Sequence, residues 1–538
     1  MKGIKSFYTG PFLFAVVIFC SLLLGQKVFN LNSKNQGQGD TVVNTDFGSY
    51  LAAQHALYIN DFESASKMIG EVKADNKNIN QIKNLTEFFN GKIPQNAESF
   101  KNSKDIAERL IYDAYLIQKD DWKSVYARHK NDTSVLAAPI RIFSGTYTKN
   151  PKDTAKFIDS LKADPNWKAF VRGQIAVLNN DVDTAAKEFA KVHPDFMNIS
   201  DYFYLMSFYK KNGMTEDMDI LRNDFYEKAG GTYALDYDDI PDWSNYEGYK
   251  NNLVFSLVQT VSHTPIMIYT DLSLMFLRFA QVISNGANTD AINYYMGQYY
   301  FYNYGDYETS FNNISKSNPL YLFGQLKIAE KNQDIKAVEK IIRKNPLFAP
   351  AVQIIGHDSI KNGNKSRILF VLNRAIKQKN LPTQGKIYFL KQRAYVYIMF
   401  GDAKRAQKDI DTIEDIDITM TPDMMTLQAH VWILQDKNLD KAYNYLMTLI
   451  KMNTSNVTAW DLLSLVIDKR EGTDNALELL ERVGEVTPTS SVYEHLGDFY
   501  KKQGDIERAK KAYQHAIDLS DDSLIVVPHV QKKIRKLK

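Results

Sequence analysis

From residue 46 onward, wherever apolar positions can be read in blocks, they recur at helical spacing. Tyr493, Leu496 and Tyr500 stand at i, i+3 and i+7, one face of a helix. Gly504 follows where that helix must stop, the usual place of a C-cap glycine. Ala509, Tyr513 and Ala516 then mark a second helix. The pattern predicts two antiparallel helices joined by a short turn. Small residues such as Gly497, Ser464 and Ala394 let the first helix approach its neighbour closely, and the large ones fill the gaps between. A larger side chain at Ala509 or Ala406 is expected to cost on the order of 1–3 kcal/mol through overpacking. Truncation of Tyr513 is expected to cost roughly 3–5 kcal/mol.

The unit repeats. The central alanines Ala406, Ala442, Ala476 and Ala509 are 36, 34 and 33 residues apart. Gly401-Asp402 and Gly504-Asp505 open two almost literal copies of one turn. Weaker copies run toward the amino terminus: Met296 to Tyr300 with Gly305-Asp306, Tyr202 to Gly213 with Ala185, Phe189 and Val192, and Tyr50 to Ala65 with Asn60-Asp61. At about 34 residues per pair the chain holds about 12–14 hairpins, the stretch 80–160 being the most degenerate.

Residues 491–520 resemble the tetratricopeptide repeat (TPR), with Tyr493, Leu496, Gly497, Tyr500, Ala509, Tyr513 and Ala516 at its consensus places. Asp521 stands where the consensus has proline, and the preceding block supplies that proline as Pro488. The resemblance implies an all-α solenoid wound as a right-handed superhelix. It also implies that the first helix of each pair lines a concave groove, with ligand contacts at its second, fifth, ninth and twelfth positions. In the last four blocks those places hold Tyr388, Lys391, Tyr395 and Ile398; Met424, Leu427, Val431 and Leu434; Thr458, Asp461, Leu465 and Asp468; and Ser491, Glu494, Asp498 and Lys501. The Lys/Asn/Arg clamp by which some TPR proteins hold a terminal carboxylate is missing, and Asp461, Asp468, Glu494 and Asp498 would repel one. The expected ligand is therefore an amphipathic helix with a basic flank, docking from Tyr388 toward Asp498. Such groove residues are expected not to be packing residues, so that Tyr395→Asp with Val431→Asp removes binding and spares stability. Gly48 to His55, Asp271 to Ala280 and His495 to Asp498 further resemble envelope-targeted TPR proteins of alphaproteobacteria, which are mostly scaffolds.

Composition narrows the function. Lys+Arg 66 against Asp+Glu 63 leaves +3, too balanced for a nucleic-acid binder. The single cysteine, Cys20, excludes a disulfide framework and a multi-cysteine metal site. Cys20 falls inside an uncharged run, residues 6–26, behind Lys2 and Lys5, which reads as a cleaved signal or an uncleaved membrane anchor. The charge bias puts the rest of the chain outside the cytoplasm, held at the inner membrane on its periplasmic side or released there. The layout is then 1–29 targeting segment, 30–45 polar tether, 46–229 degenerate array, 230–250 acidic and aromatic insertion, and 251–538 carboxyl-terminal array with a capping helix.

No catalytic pattern emerges. The nine histidines form no HExxH or ligand cluster, no phosphate loop is present, and His495 reads as an ordinary helix-surface histidine. Asp236, Asp238, Asp239 and Asp242 lack EF-hand spacing. The tyrosines from Tyr294 to Tyr307 read first as helix packing, and a stacking surface for glycan is the alternative. The basic tail from Lys532 to Lys538 reads as the solvated face of the capping helix, with anionic lipid as the alternative. The sequence thus predicts a membrane-associated scaffold binding a protein or peptide, with no cofactor, no metal, no nucleic acid and no small-molecule substrate. A glycan-binding or enzyme-associated envelope module is the alternative.

Overall fold

The computed structural model describes residues 46–134, 137–228, 240–263, 271–284, 286, 288–303, 305–379, 381–521 and 524–537. Every regular element among them is a helix. The helices follow in pairs, from Asp46–Tyr58 with Phe62–Gly70 to Ser490–Lys502 with Ile506–Asp518, and Val527–Arg535 ends the series. This is the all-α succession of helix pairs expected from the repeat. The targeting segment, the tether and residues 230–239 of the insertion lie outside the described residues. Among the described residues no helix is long and apolar enough to cross a membrane.

One turn is used again and again. Two residues past the first helix the backbone enters the left-handed region, at Asn60 (φ 59°), Asp120 (59°), Asn180 (58°), Gly401 (72°) and Gly504 (82°). The next residue is an aspartate, whose N–H reaches back five residues, as from Asp402 to the Tyr397 carbonyl at 2.8 Å. Its carboxylate accepts the N–H three residues on: Ser64 to Asp61 at 3.0 Å, Ser124 to Asp121 at 3.1 Å, Thr184 to Asp181 at 3.0 Å, Arg508 to Asp505 at 2.9 Å. Two residues thereby satisfy the last carbonyls of one helix and the first amides of the next.

Packing within a pair follows from side-chain size. The alanines Ala185, Ala406, Ala442, Ala476 and Ala509 are completely buried. A Cβ added to Gly497 would stand 2.5 Å from the Tyr513 ring, one on Gly173 2.2 Å from Phe189, and one on Gly297 2.4 Å from Phe311. Each aromatic lies where its glycine leaves room, and the helices close to contact distance.

The described residues form two compact units, one running to Met218 and resuming beyond residues 229–239 up to Ile328, the other made chiefly of Ala329–Lys538. The sequence placed the break at 230–250. The described part of that insertion is built into the first unit: Trp243 meets Tyr204 edge-on at 5.3 Å, and Tyr246 is buried against Phe255 at 5.6 Å. Tyr294, Tyr295, Tyr299 and Tyr300 are likewise buried, so the tyrosine-rich helix Thr289–Tyr302 offers those four rings to its own core.

The second unit contains five regular pairs, here called first to fifth: Ala349–Lys361 with Lys365–Ile376, Thr383–Met399 with Ala403–Ile416, Pro422–Gln435 with Leu439–Met452, Val457–Arg470 with Thr473–Val486, and Ser490–Lys502 with Ile506–Asp518. Each core cluster joins neighbouring elements, as where Ile387, Ala394 and Ile410 of the second pair meet Met424 and Val431 of the third. The terminal helix Val527–Arg535 buries Val530 against Ala509, Tyr513 and Ala516.

Candidate functional site

The first helices of the second unit each carry one packing stripe and, beside it, a half-buried stripe. Of the ten expected contact residues, Tyr388, Lys391, Tyr395, Leu465, Asp468, Glu494 and Asp498 fall on the half-buried stripe. Leu427, Val431 and Asp461 are buried. Val431, fully buried, belongs to the core between the second and third pairs, with Tyr395 packed at its margin. The expectation that contact residues are free of packing duty is therefore corrected. In the third pair the helix turns Leu427 and Val431 into the core and leaves Leu434, 42% exposed, on its surface.

The acidic residues are also not the bare strip the sequence suggests. His495 Nδ1 lies 2.7 Å from Asp461. Lys533 of the terminal helix reaches Glu494 at 2.8 Å and Asp498 at 2.6 Å. Asp498 also accepts the Tyr513 hydroxyl at 2.7 Å, while Asp468 pairs with Lys502 and accepts the Thr473 hydroxyl at 2.7 Å. A carboxylate this far from open water needs a cation or donors to remain ionised. For Asp461 and Asp468 the cation comes from the first helix one repeat further on, and for Glu494 and Asp498 from the terminal helix. Lys533 is thus directed at this half-buried face, and not a member of a purely solvated tail.

Two histidines lie on the same face. Burial opposes the charge of His495, but the Asp461 carboxylate, with Glu494 and Asp498, outweighs it and lifts the imidazole to about 9. His430, on the third pair, is pushed down to about 4 by burial and by the charge of His495, against a smaller pull from Asp461. At neutral pH one is therefore a cation and the other neutral. His495 is the one departure from its expected role as a plain surface histidine. The signal that would have found it is the offset of opposite charges by one repeat: Asp461 to His495 and Asp468 to Lys502 are 34 residues apart, Asp498 to Lys533 is 35. Tyr388 and Tyr395 add aromatic surface, with burial raising both phenols and the Gln353 side-chain amide donating to the Tyr388 hydroxyl at 2.8 Å.

Among the described residues no group of three metal-ligating side chains comes together. The face presents half-buried aromatic and aliphatic surface, with fixed charges between.

Residues 394–538 match the family described as a tetratricopeptide repeat-like domain. No curated protein sequence matches the chain, so the resemblance to envelope-targeted proteins gains no relative. Among solved structures, a thermophilic TPR protein of Thermus thermophilus is 14% identical, covering 36% of this chain and 97% of its own, with a TM-score of 0.28. A tetratricopeptide repeat protein of Parabacteroides merdae is 12% identical, covering 54% of this chain and 98% of its own, at 0.32. The APC/C hetero-tetramer Cut9–Hcn1 is 13% identical, covering 91% of this chain and 96% of its own, at 0.30.

Proposed function

We propose that this tetratricopeptide-repeat protein is a non-catalytic scaffold that holds a helical segment of a protein partner on the concave face of its second unit. One observation carries the reading. Tyr388, Tyr395, Leu465 and Leu434 keep part of their surface open beside fixed charges, although each lies on a helix whose other face is fully packed. Aromatic and aliphatic anchors rimmed by charge are what a bound amphipathic helix requires. The basic flank proposed for the partner meets the carboxylates of Glu494 and Asp498.

The place of action is proposed as the cell envelope, with residues 6–26 holding the chain at the membrane and the repeats on the extracytoplasmic side. Support comes from Lys2 and Lys5 ahead of the apolar run, and from a chain otherwise free of thiols. A reporter fused after Lys538 should be active outside the cytoplasm, and activity only inside would reverse this topology.

A photo-crosslinking residue placed at Tyr395 or Leu465 tests the binding face. A protein adduct is expected at both positions and absent at Phe370, 69% exposed on a second helix. Equal labelling at Phe370, or none at the two anchors, would discard the reading.

A further inference from the structure

The first unit holds a cavity lined by none of the ten expected contact residues. The helices Ile106–Gln118 and Trp122–His129 form one pair, and Ala138–Tyr147 opens the next. Repeats of this kind meet their sequence neighbours and little else. Here a helix far along the chain, Asp271–Ile283, joins the same pair: Gln118 donates to the Val282 carbonyl, and Phe276 shares a cavity wall with Leu110 and Ile140. The cavity among these helices measures about 270 Å³. Its apolar lining of Leu110, Ala137, Ile140 and Phe276 is buried, while Ile106 at the rim is 52% exposed.

The polar lining residues form one cluster. Asp113, completely buried, accepts from Arg128 Nε at 2.7 Å and from His129 Nε2 at 2.8 Å. A carboxylate only accepts, so Nε2 carries a proton. His129 Nδ1 makes no hydrogen bond, although its side chain is only 4% exposed. Asp132 Oδ2 stands 3.9 Å from that nitrogen, too far for one. Burial opposes the charge of Asp132, but hydrogen bonds from Ser134, with His129 and Arg109 nearby, outweigh it and hold this carboxyl below its usual range. A buried ring nitrogen without a partner is costly, and calls for one.

The geometry points to a binding site for a small uncharged apolar molecule bearing a hydroxyl, such as an alkylphenol, whose hydroxyl fills the gap between His129 Nδ1 and Asp132 Oδ2. A cavity of about 150 Å³ holds benzene, so this one holds roughly ten non-hydrogen atoms. Water would serve the nitrogen but not the buried Leu110, Ile140 and Phe276, since apolar cavities stay dry. A hydroxyl midway across 3.9 Å lies within hydrogen-bond reach of both atoms. It also suits either proton state of the imidazole. Where Nδ1 is bare the hydroxyl donates to it; where Nδ1 is protonated the hydroxyl accepts from it and donates to Asp132. Charge excludes an ionic head. Asp113, Asp132 and Asp153 are matched by Arg128, Arg109 and Arg141, so an ammonium would meet Arg109 and an anion would meet two carboxylates.

Calorimetry on the full chain tests this with four probes of similar size: 4-propylphenol, propylbenzene, 3-phenylpropylamine and 3-phenylpropanoate. 4-Propylphenol is expected to saturate one site, and each of the others to bind at least tenfold more weakly. Ala137→Phe, which puts a ring into the cavity, should abolish binding. A diazirine analogue of 4-propylphenol should label residues 106–140 or 271–283 of the unaltered chain and be displaced by 4-propylphenol. That measurement decides the matter should Ala137→Phe fold poorly. Propylbenzene binding as tightly would overturn the hydroxyl contact, and tighter binding of the amine or the carboxylate would overturn the uncharged head. No saturable binding by any probe, or labelling only elsewhere in the chain, would remove the site. The partner face of the second unit enters none of these outcomes, so the scaffold reading stands or falls separately.

Discussion

His495 Nδ1 sits 2.7 Å from an Asp461 carboxylate that is 34 residues earlier and almost wholly withdrawn from water. A buried carboxylate so placed holds its histidine as a cation far above the ordinary range, while burial, helped by the charge of His495, keeps a third residue, His430, neutral. The ladder of charges along this face is therefore also a source of pH dependence.

Stability is expected to be greatest near pH 6.5. His495 is lifted from 6.5 to about 9, so the stability it contributes is complete below 6.5 and lost as the pH rises through 9. The full effect is on the order of 3 kcal/mol. His430 is lowered to about 4, so its contribution is present above 6.5 and disappears as the pH falls toward 4. Denaturant melts between pH 4 and 10 should show both limbs. His495→Gln should flatten the alkaline limb and His430→Gln the upper part of the acid one. An unchanged alkaline limb in His495→Gln would show that the pairing with Asp461 is not formed.

Gly497→Ala should destabilise by about 1–3 kcal/mol, because the new methyl would meet the Tyr513 ring at 2.5 Å in a core that is already filled. Gly173→Ala, facing Phe189 at 2.2 Å, should behave alike. Exposed Gly213, with nothing within 4 Å of its added Cβ but φ at +69°, separates strain from crowding. There the cost of alanine should be nearer 1 kcal/mol. Chemical denaturation of the three variants makes the comparison.

Val431→Asp and Tyr395→Asp should part company. The first puts a carboxylate into a fully buried site and should cost on the order of 3–5 kcal/mol. The second alters a half-buried margin and should chiefly weaken partner capture. Leu434→Asp, at an exposed place on the same helix as Val431, is the fitting companion for a binding test. A thermal melt of Val431→Asp matching the parent protein would contradict the packing described here.

Asp121→Ala should cost about 1 kcal/mol, since it removes the acceptor for the Ser124 N–H at the start of a helix. Asp505→Ala should cost about the same in the other unit. Equal losses at two sites so far apart would establish that one turn serves the whole chain.

The solenoid was legible because its packing is written in residue size. Gly497 against Tyr513 and the spacing of Ala406, Ala442, Ala476 and Ala509 are direct records of helices in contact. The stretch 80–160 was obscure for the same reason: its cores vary in which large residue fills which gap. Asp120-Asp121 and Asn180-Asp181 nevertheless keep the turn, because left-handed backbone followed by a capping carboxylate is a local demand that no neighbour can relieve. Reading that dipeptide in place of the aromatic consensus would have recovered the weaker pairs. The face was harder to read. Consensus position assigned Val431 to the groove, whereas its side chain is fully buried in the core shared by the second and third pairs. Pairings such as Lys533 with Asp498 depend on the stacking of successive repeats, which a single repeat's pattern does not contain.

The pairing of Asp461, Asp468, Glu494 and Asp498 with the chain's own cations bears on how a partner arrives. A face whose carboxylates are largely, though not fully, offset by the chain's own cations casts only a weak field beyond a Debye length, about 8 Å at physiological salt. Encounter is then unsteered, at roughly the 10⁵–10⁶ M⁻¹s⁻¹ ordinary for uncharged surfaces, and nearly indifferent to ionic strength. Under the proposed function, selection then falls on the lifetime of the complex, on how long Tyr388, Tyr395 and Leu465 keep hold of whatever has collided with them.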